Sequence, residues 1–287
     1  MPSLKVIRKR IASVRSTQKI TRAMKLVAAA KLRRAQENIL RARPYAVKLH
    51  ELISELAQRA DAGDHPLLAV REPKRVMLVI LTSDRGMCGA FNTNILRAAE
   101  KYRRDNAQCH EQIQLAVVGR KGRDYLRHRK IEIHKYFPGL DVGTALGESK
   151  EISDGIIESF LDGNLDMVYL VYNEFKSAAA QRITVEPLLP ITPLELAEGE
   201  ANVDFVYEPS KLEILETIMP MYVSVEVYRA ALESMASEFG ARMTAMENAT
   251  SNAAEMISTL TLEYNKARQA AITKELLDIV GGAEALR

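Results

Sequence analysis

The sequence predicts a mixed α/β fold: a long antiparallel two-helix coiled coil formed by both chain ends, with an inserted α/β domain. Three observations predict it. At each end, apolar residues recur at alternating steps of three and four, the seam of a coiled coil. Between the ends the period changes to short apolar runs alternating with helical stretches, the pattern of βαβ units. A compact insert entered and left on one side also forces its flanking helices to run antiparallel. The implied divisions are 1–60, 75–208 and 209–287.

The first helix, from Ser3 to about Ala60, carries the seam Leu4, Ile7, Ile11, Val14, Gln18, Thr21, Lys25, Ala28, Leu32, Ala35, Ile39, Ala42, Ala46, Leu49, Ile53, Leu56 and Ala60. Pro44 removes a backbone donor and bends the helix, but the seam continues in phase across it. The polar members Gln18, Thr21 and Lys25 are read either as a register device or as an opening toward another protein. Charge on this helix is one-sided: the basic residues from Lys5 to Lys48 are met by a single acid, Glu37, before Glu51. Such an imbalance exceeds internal i,i+4 pairing and calls for an acidic partner, whether protein, lipid or nucleic acid. A transit peptide is also basic and acid-poor, but the unbroken heptads mark mature structure.

Residues 61–74, with Gly63, Pro66 and Pro73, form a linker. Strands follow at Val76–Leu81, Ile113–Val118, Ile131–Tyr136 (an edge strand), Met167–Tyr172 and Arg182–Leu189. Helices fall between them from about Asn92 to Arg104, near Asp124, and from Glu148 to Leu161. The loop Thr82–Ala90 lies at a strand's carboxyl end, where α/β sheets place their sites. There Asp84, Arg85 and Cys88 raise a thiol-enzyme reading, Arg85 favouring an accessible thiolate. Neither SDRGMCGAFN nor VVGRKGRDY has GxGxxG spacing, and no GxxxxGK[ST] loop occurs, so no cofactor is expected. Two cysteines, Cys88 and Cys109, in 287 residues indicate a reducing compartment rather than a disulfide scaffold. No apolar run reaches membrane-span length and no signal peptide is visible.

The last helix begins after Pro209, with Pro220 marking a kink or a later start. Its seam runs Ala236, Phe239, Met243, Met246, Thr250, Ala253, Ile257, Leu260, Tyr264, Ala267 and Ala271. In an antiparallel pair facing residues keep a constant index sum, and the heptads allow roughly 264, 271, 285 or 292. Flush ends favour about 264, which pairs Leu4 with Leu260 and Leu32 with Leu232 and sets Lys25 across from Phe239. Everything beyond about Leu262 would then be a single helix without a first-helix partner.

The stretches IASVRSTQKITRAMKLVAAAKLRRAQ, SDRGMCGAFN and YNKARQAAITKELLDIVGGAEA together resemble the gamma subunit of F-type ATP synthase, the central rotor shaft. The resemblance covers the whole chain. It implies a Rossmann-like foot, no catalytic site, cofactor or metal, and partners comprising the alpha and beta subunits, the epsilon subunit and the c-ring. It carries no nucleic acid, reaches the membrane only through partners, and implies the cytoplasmic face of the bacterial inner membrane. It also implies that Met24, Lys25, Cys88, Arg242, Arg268, Gln269, Thr273 and Glu275 meet alpha or beta, with Met24 and Lys25 toward acidic loops of beta. Tyr207 and Glu208 would meet epsilon or the c-ring. Plant relatives carry a regulatory cysteine pair before the last helix; residues 195–207 here hold no Cys, so that control is not expected. An α/β enzyme with helical arms and a coiled-coil nucleic-acid binder are the alternatives; ligand turnover and salt-steep nucleic-acid binding would mark them.

Overall fold

The computed structural model describes residues 3–58, 65–178, 180–192 and 211–284. Eleven elements follow in order among these residues: α1 (Leu4–Gln58), a 3-10 turn (Pro66–Leu68), β1 (Arg75–Leu81), α2 (Phe91–Asp105), β2 (Gln112–Val118), α3 (Arg120–His128), β3 (Lys135–Phe137), α4 (Ala145–Leu161), β4 (Met167–Phe175), β5 (Gln181–Leu189) and α5 (Lys211–Glu284). They divide into two compact units: Met1–Val27 with Met243–Arg287, and Ala28–Arg242. The long helices α1 and α5 contribute to both.

In the larger unit the strands order as β3-β2-β1-β4-β5, the first four parallel and β5 antiparallel to β4. The run RVMLVIL of β1 explains the layering, because successive side chains leave opposite faces of a strand. Met77, Val79 and Leu81 enter one core with α4, the 3-10 turn, Leu49 and Ile53 of α1, and α5 from Leu215 to Ala230. Val76, Leu78 and Ile80 enter a second core, under Phe91, Ile95 and Leu96 of α2 and Leu126 of α3. Both faces of β1 are therefore dry, as a continuous apolar run requires. The linker is less passive than its composition suggests: Leu67 is fully buried, and its carbonyl accepts from the backbone N–H of Ile191 at 2.9 Å. Of the expected third strand, Ile131–Tyr136, only Lys135 and Tyr136 join the sheet, with Phe137, at the edge. The structure overturns a helix start at Pro220, since α5 begins at Lys211 and runs through that residue; α1 likewise runs through Pro44.

In the smaller unit α1 and α5 run antiparallel. The Thr21 and Thr250 hydroxyls meet at 2.8 Å, and the Lys25 ammonium donates to Glu247 at 2.7 Å. The seam of α1 alternates in burial as its spacing demands, with Ile7 and Thr21 buried and Leu4, Ile11, Val14, Gln18 and Lys25 half-buried. The matching stripe on α5 is Met246, Thr250, Ala253, Ile257, Leu260, Tyr264, Ala267 and Ala271. Thr21 facing Thr250 fixes the index sum at 271, one heptad from the favoured 264. The correction has a simple cause. Each seam carries a threonine, Thr21 buried and Thr250 half-buried, and this register brings their hydroxyls together, whereas the 264 register sets Thr21 against Met243 and forgoes that polar contact.

Candidate interaction surfaces

The strand order reverses between β1 and β4, and the crevice beyond β1 is where an open α/β sheet takes a ligand. Here α5 fills it. Ser234 donates to the Leu81 carbonyl at 3.4 Å, and the Arg242 guanidinium donates to the carbonyls of Arg85 at 3.1 Å and Gly86 at 3.3 Å. The remaining cavity, lined by Thr82, Ser83, Phe91, Leu140, Met235 and Glu238 among others, is about 20 Å³. That is room for about one water and no nucleotide. The glycines that invited a phosphate reading serve packing. Gly119 has φ +94°, a conformation open to glycine, and a Cβ there would clash with the Thr82 carbonyl. A Cβ at Gly122 would meet Val117 and the Thr82 hydroxyl, which accepts the Gly122 N–H at 3.0 Å.

The loop 82–90 is held from within. The Ser83 N–H donates to the Asn92 side-chain carbonyl at 2.9 Å, the Ser83 hydroxyl to the Arg85 carbonyl at 2.8 Å, and the Asn92 amide to Cys88 Sγ at 3.2 Å. Cys88 is 2 % exposed, which overturns its expected accessibility. Burial pushes its thiol above the ordinary value, Glu238 adds to the rise, and the opposing pull of Arg242 is weaker. The thiol donates to the Arg85 carbonyl, 3.9 Å away, and Arg85 itself is an exposed residue. Asp84 caps α3, accepting the Arg120 N–H at 2.8 Å. Arg242 is buried, pairs with Glu238 at 2.6 Å and lies over the Phe239 ring. Burial holds the Glu238 carboxyl above the usual carboxylate range, against the pull of Arg242. Cys88 and Arg242 are thus interior supports. What they present outward is Arg85 and Met87, the latter 60 % exposed at φ 63°. Sequence reading passed over Met87, although an apolar residue between two loop glycines was the available signal.

The remaining site residues separate cleanly. Met24 and Lys25 are half-buried, and Lys25 is committed to Glu247 rather than lying across from Phe239. It is Lys31 whose ammonium stands over the Phe239 ring, 5.5 Å from its centre. Lys5, Arg8, Lys9, Arg10, Arg15, Lys19 and Arg22 are exposed, and none enters an ion pair among the described residues. Arg268, Gln269, Thr273 and Glu275 are exposed on α5. By the 271 register Leu4 faces Ala267, so the partnerless stretch begins there rather than at Leu262, and it still holds all four. Tyr207, Glu208 and the stretch 195–207 lie outside the described residues.

These features define a class: a protein whose sheet crevice is closed by its own helix and whose chemistry is offered on exposed helical surfaces. Comparison makes the class specific. A family model described as ATP synthase matches residues 3–286. An ATP synthase gamma chain from Anaeromyxobacter sp. (strain Fw109-5) is 52 % identical, and one from Geobacter metallireducens is 48 % identical; both alignments cover all of each chain. Among solved structures, the central stalk and c-ring of Tetrahymena thermophila mitochondrial ATP synthase matches with TM-score 0.59 and 27 % identity, over 80 % of this chain and 99 % of that one. A chain of Euglena gracilis mitochondrial ATP synthase shares the fold, with TM-score 0.70 and 22 % identity over 99 % and 94 %. The chain belongs to the gamma-chain family of F-type ATP synthase.

Proposed function

We propose that this chain is the central-stalk rotor subunit of an F-type ATP synthase. It couples rotation of the c-ring to ATP synthesis or hydrolysis in the alpha/beta hexamer and has no catalytic site of its own. The observation that carries the reading is the end of α5. Ile272–Val280 is exposed at every residue and includes Ile272, Leu276, Leu277, Ile279 and Val280. A lone helix of this kind is marginal in water and exposes apolar surface that a surrounding protein would cover. Alpha and beta supply that cover, with Arg268, Gln269, Thr273 and Glu275 as contacts. The uncompensated cations of α1 suit acidic loops of beta, with Met24 beside them. Arg85 and Met87, braced by Cys88 and Arg242, form a second contact. Epsilon and the c-ring take the opposite duty, through Tyr207 and Glu208. No described helix is long and apolar enough to cross a membrane, which fits a peripheral subunit at the cytoplasmic face of the bacterial inner membrane.

The filled crevice beyond β1 supports a non-catalytic role. The purified chain should hydrolyse no ATP alone, yet co-elute with alpha and beta subunits as one complex that does. Changing Arg8, Lys9 and Arg10 to Glu should weaken that assembly or its coupling while leaving the melting temperature of the free chain nearly unchanged, because exposed charges contribute little to stability. Hydrolysis by the chain alone, or failure of the unaltered chain to assemble, would overturn the reading.

A further inference from the structure

A second cationic surface lies on the larger unit. Phe91–Lys130 holds ten Lys or Arg and four acids, in a chain whose net charge is only +3. Three of the acids are already in ion pairs: Glu100 with Arg129, Glu111 with Lys74 and Asp124 with Arg123. On α2, Arg97, Lys101 and Arg104 recur at steps of four and three, so they share one exposed face. The Arg129 guanidinium donates to both Glu100 oxygens at 3.0 Å and ties the end of α3 to α2; Arg127 and Lys130, its neighbours in sequence, are exposed. None of these five forms an ion pair among the described residues. Cations complement a helix C-terminus, which accounts for Arg104 and Arg127; Arg97 and Lys101 lie too early and Lys130 lies beyond the helix.

The composition of the surface indicates what it meets. A specific protein interface has an apolar core with aromatic or aliphatic anchors under its polar rim. Within Phe91–Lys130 no large hydrophobic side chain is exposed, and Tyr136 beside α3 is covered by the Arg123 guanidinium, 4.9 Å from its ring centre. A face dominated by cations suits a diffuse polyanion, for which electrostatic attraction suffices and no side chain need be inserted. We propose that the outer face of α2 and the end of α3 associates with an anionic bilayer surface, through Lys101, Arg104, Arg127 and Lys130 with Arg97 behind them. The inference leans on the peripheral membrane location proposed above. It adds a direct, charge-only contact with acidic headgroups at a site separate from the subunit contacts.

Co-sedimentation of the full-length chain with vesicles tests it, in a background where Lys5, Arg8, Lys9, Arg10, Arg15, Lys19 and Arg22 are Gln so that the exposed cations of α1 do not contribute. Mixed phosphatidylcholine and phosphatidylglycerol vesicles should retain the protein, phosphatidylcholine alone should not, and added salt should release it. Adding K101Q, R104Q, R127Q and K130Q should lower partitioning at least about tenfold, since each cation near such a surface contributes on the order of 1 kcal/mol. The four side chains are exposed, so the melting temperature should stay within a few degrees, and circular dichroism checks this. Equal retention by neutral vesicles, or undiminished binding by the four-site variant, overturns the proposal. Capture by polyglutamate resin without vesicle binding would assign the face to an acidic protein and also overturn it. Assembly with alpha and beta is scored separately, so failure of the rotor reading leaves the vesicle result standing.

Discussion

Cys88 and Arg242 show how a buried pair shapes an exposed loop. The guanidinium neutralises Glu238 inside the protein and holds two loop carbonyls in place. Arg242→Ala should cost about 3–5 kcal/mol, because a buried carboxylate loses its partner. The loop should loosen with it. In the unaltered chain an alkylating reagent should label exposed Cys109 and spare Cys88; in the variant, peptide mass spectrometry should find Cys88 labelled too. Equal labelling of both cysteines before the change would contradict the buried thiol. Asp166 offers a pH test. It is buried at the start of β4, which works to raise its pKa, but hydrogen bonds from the Arg75 guanidinium and backbone N–H outweigh burial and hold it below the ordinary carboxylate value. Asp166→Asn should therefore cost about 2 kcal/mol at neutral pH. That stabilisation is complete above the ordinary value of 3.8 and disappears as pH falls through the depressed one, so melting curves of the two proteins should converge in acid. A constant difference at all pH values would show that ionisation is not its source. Neither role was legible in the sequence, because each depends on partners dozens of residues away. The cysteine looked reactive on its neighbours in the chain, and folding replaced them with other neighbours.

At the scale of elements, the heptads located both long helices and the apolar runs located the sheet, since burial on one or two faces imposes its period on the sequence. The β3 region misled because Ile131 and Ile133 pack on the second core from outside the sheet, so alternation there reports burial without pairing. Register was open to sequence reading and was missed. Thr21 and Thr250, the one threonine of each seam, identify one another, as an unmatched polar group inside a coiled coil is costly. A crosslink decides the point. With Cys109 changed to Ser, Thr21→Cys with Thr250→Cys should oxidise to a disulfide, and Thr21→Cys with Met243→Cys should not. The reverse outcome would restore the 264 register and lengthen the partnerless end of α5.

For the whole molecule, net charge conceals organisation. A chain of net charge +3 carries eight cations without an acid in its first 27 residues, and ten cations against four acids in Phe91–Lys130. The remainder is accordingly acidic, and the separation marks distinct surfaces for distinct partners. Family membership explains why the sheet kept its topology and lost its crevice. A subunit that transmits force needs its sheet clamped to a long helix, and α5 occupies the space a ligand would take. Cys109 supplies the handle for the most direct test of that account, being exposed while Cys88 is buried. A bead attached at Cys109 of the chain, assembled with surface-fixed alpha and beta subunits, should turn in one direction when ATP is supplied and stop when it is withdrawn. A bead that stays still while the same complexes hydrolyse ATP would contradict the assignment of this chain as the rotor.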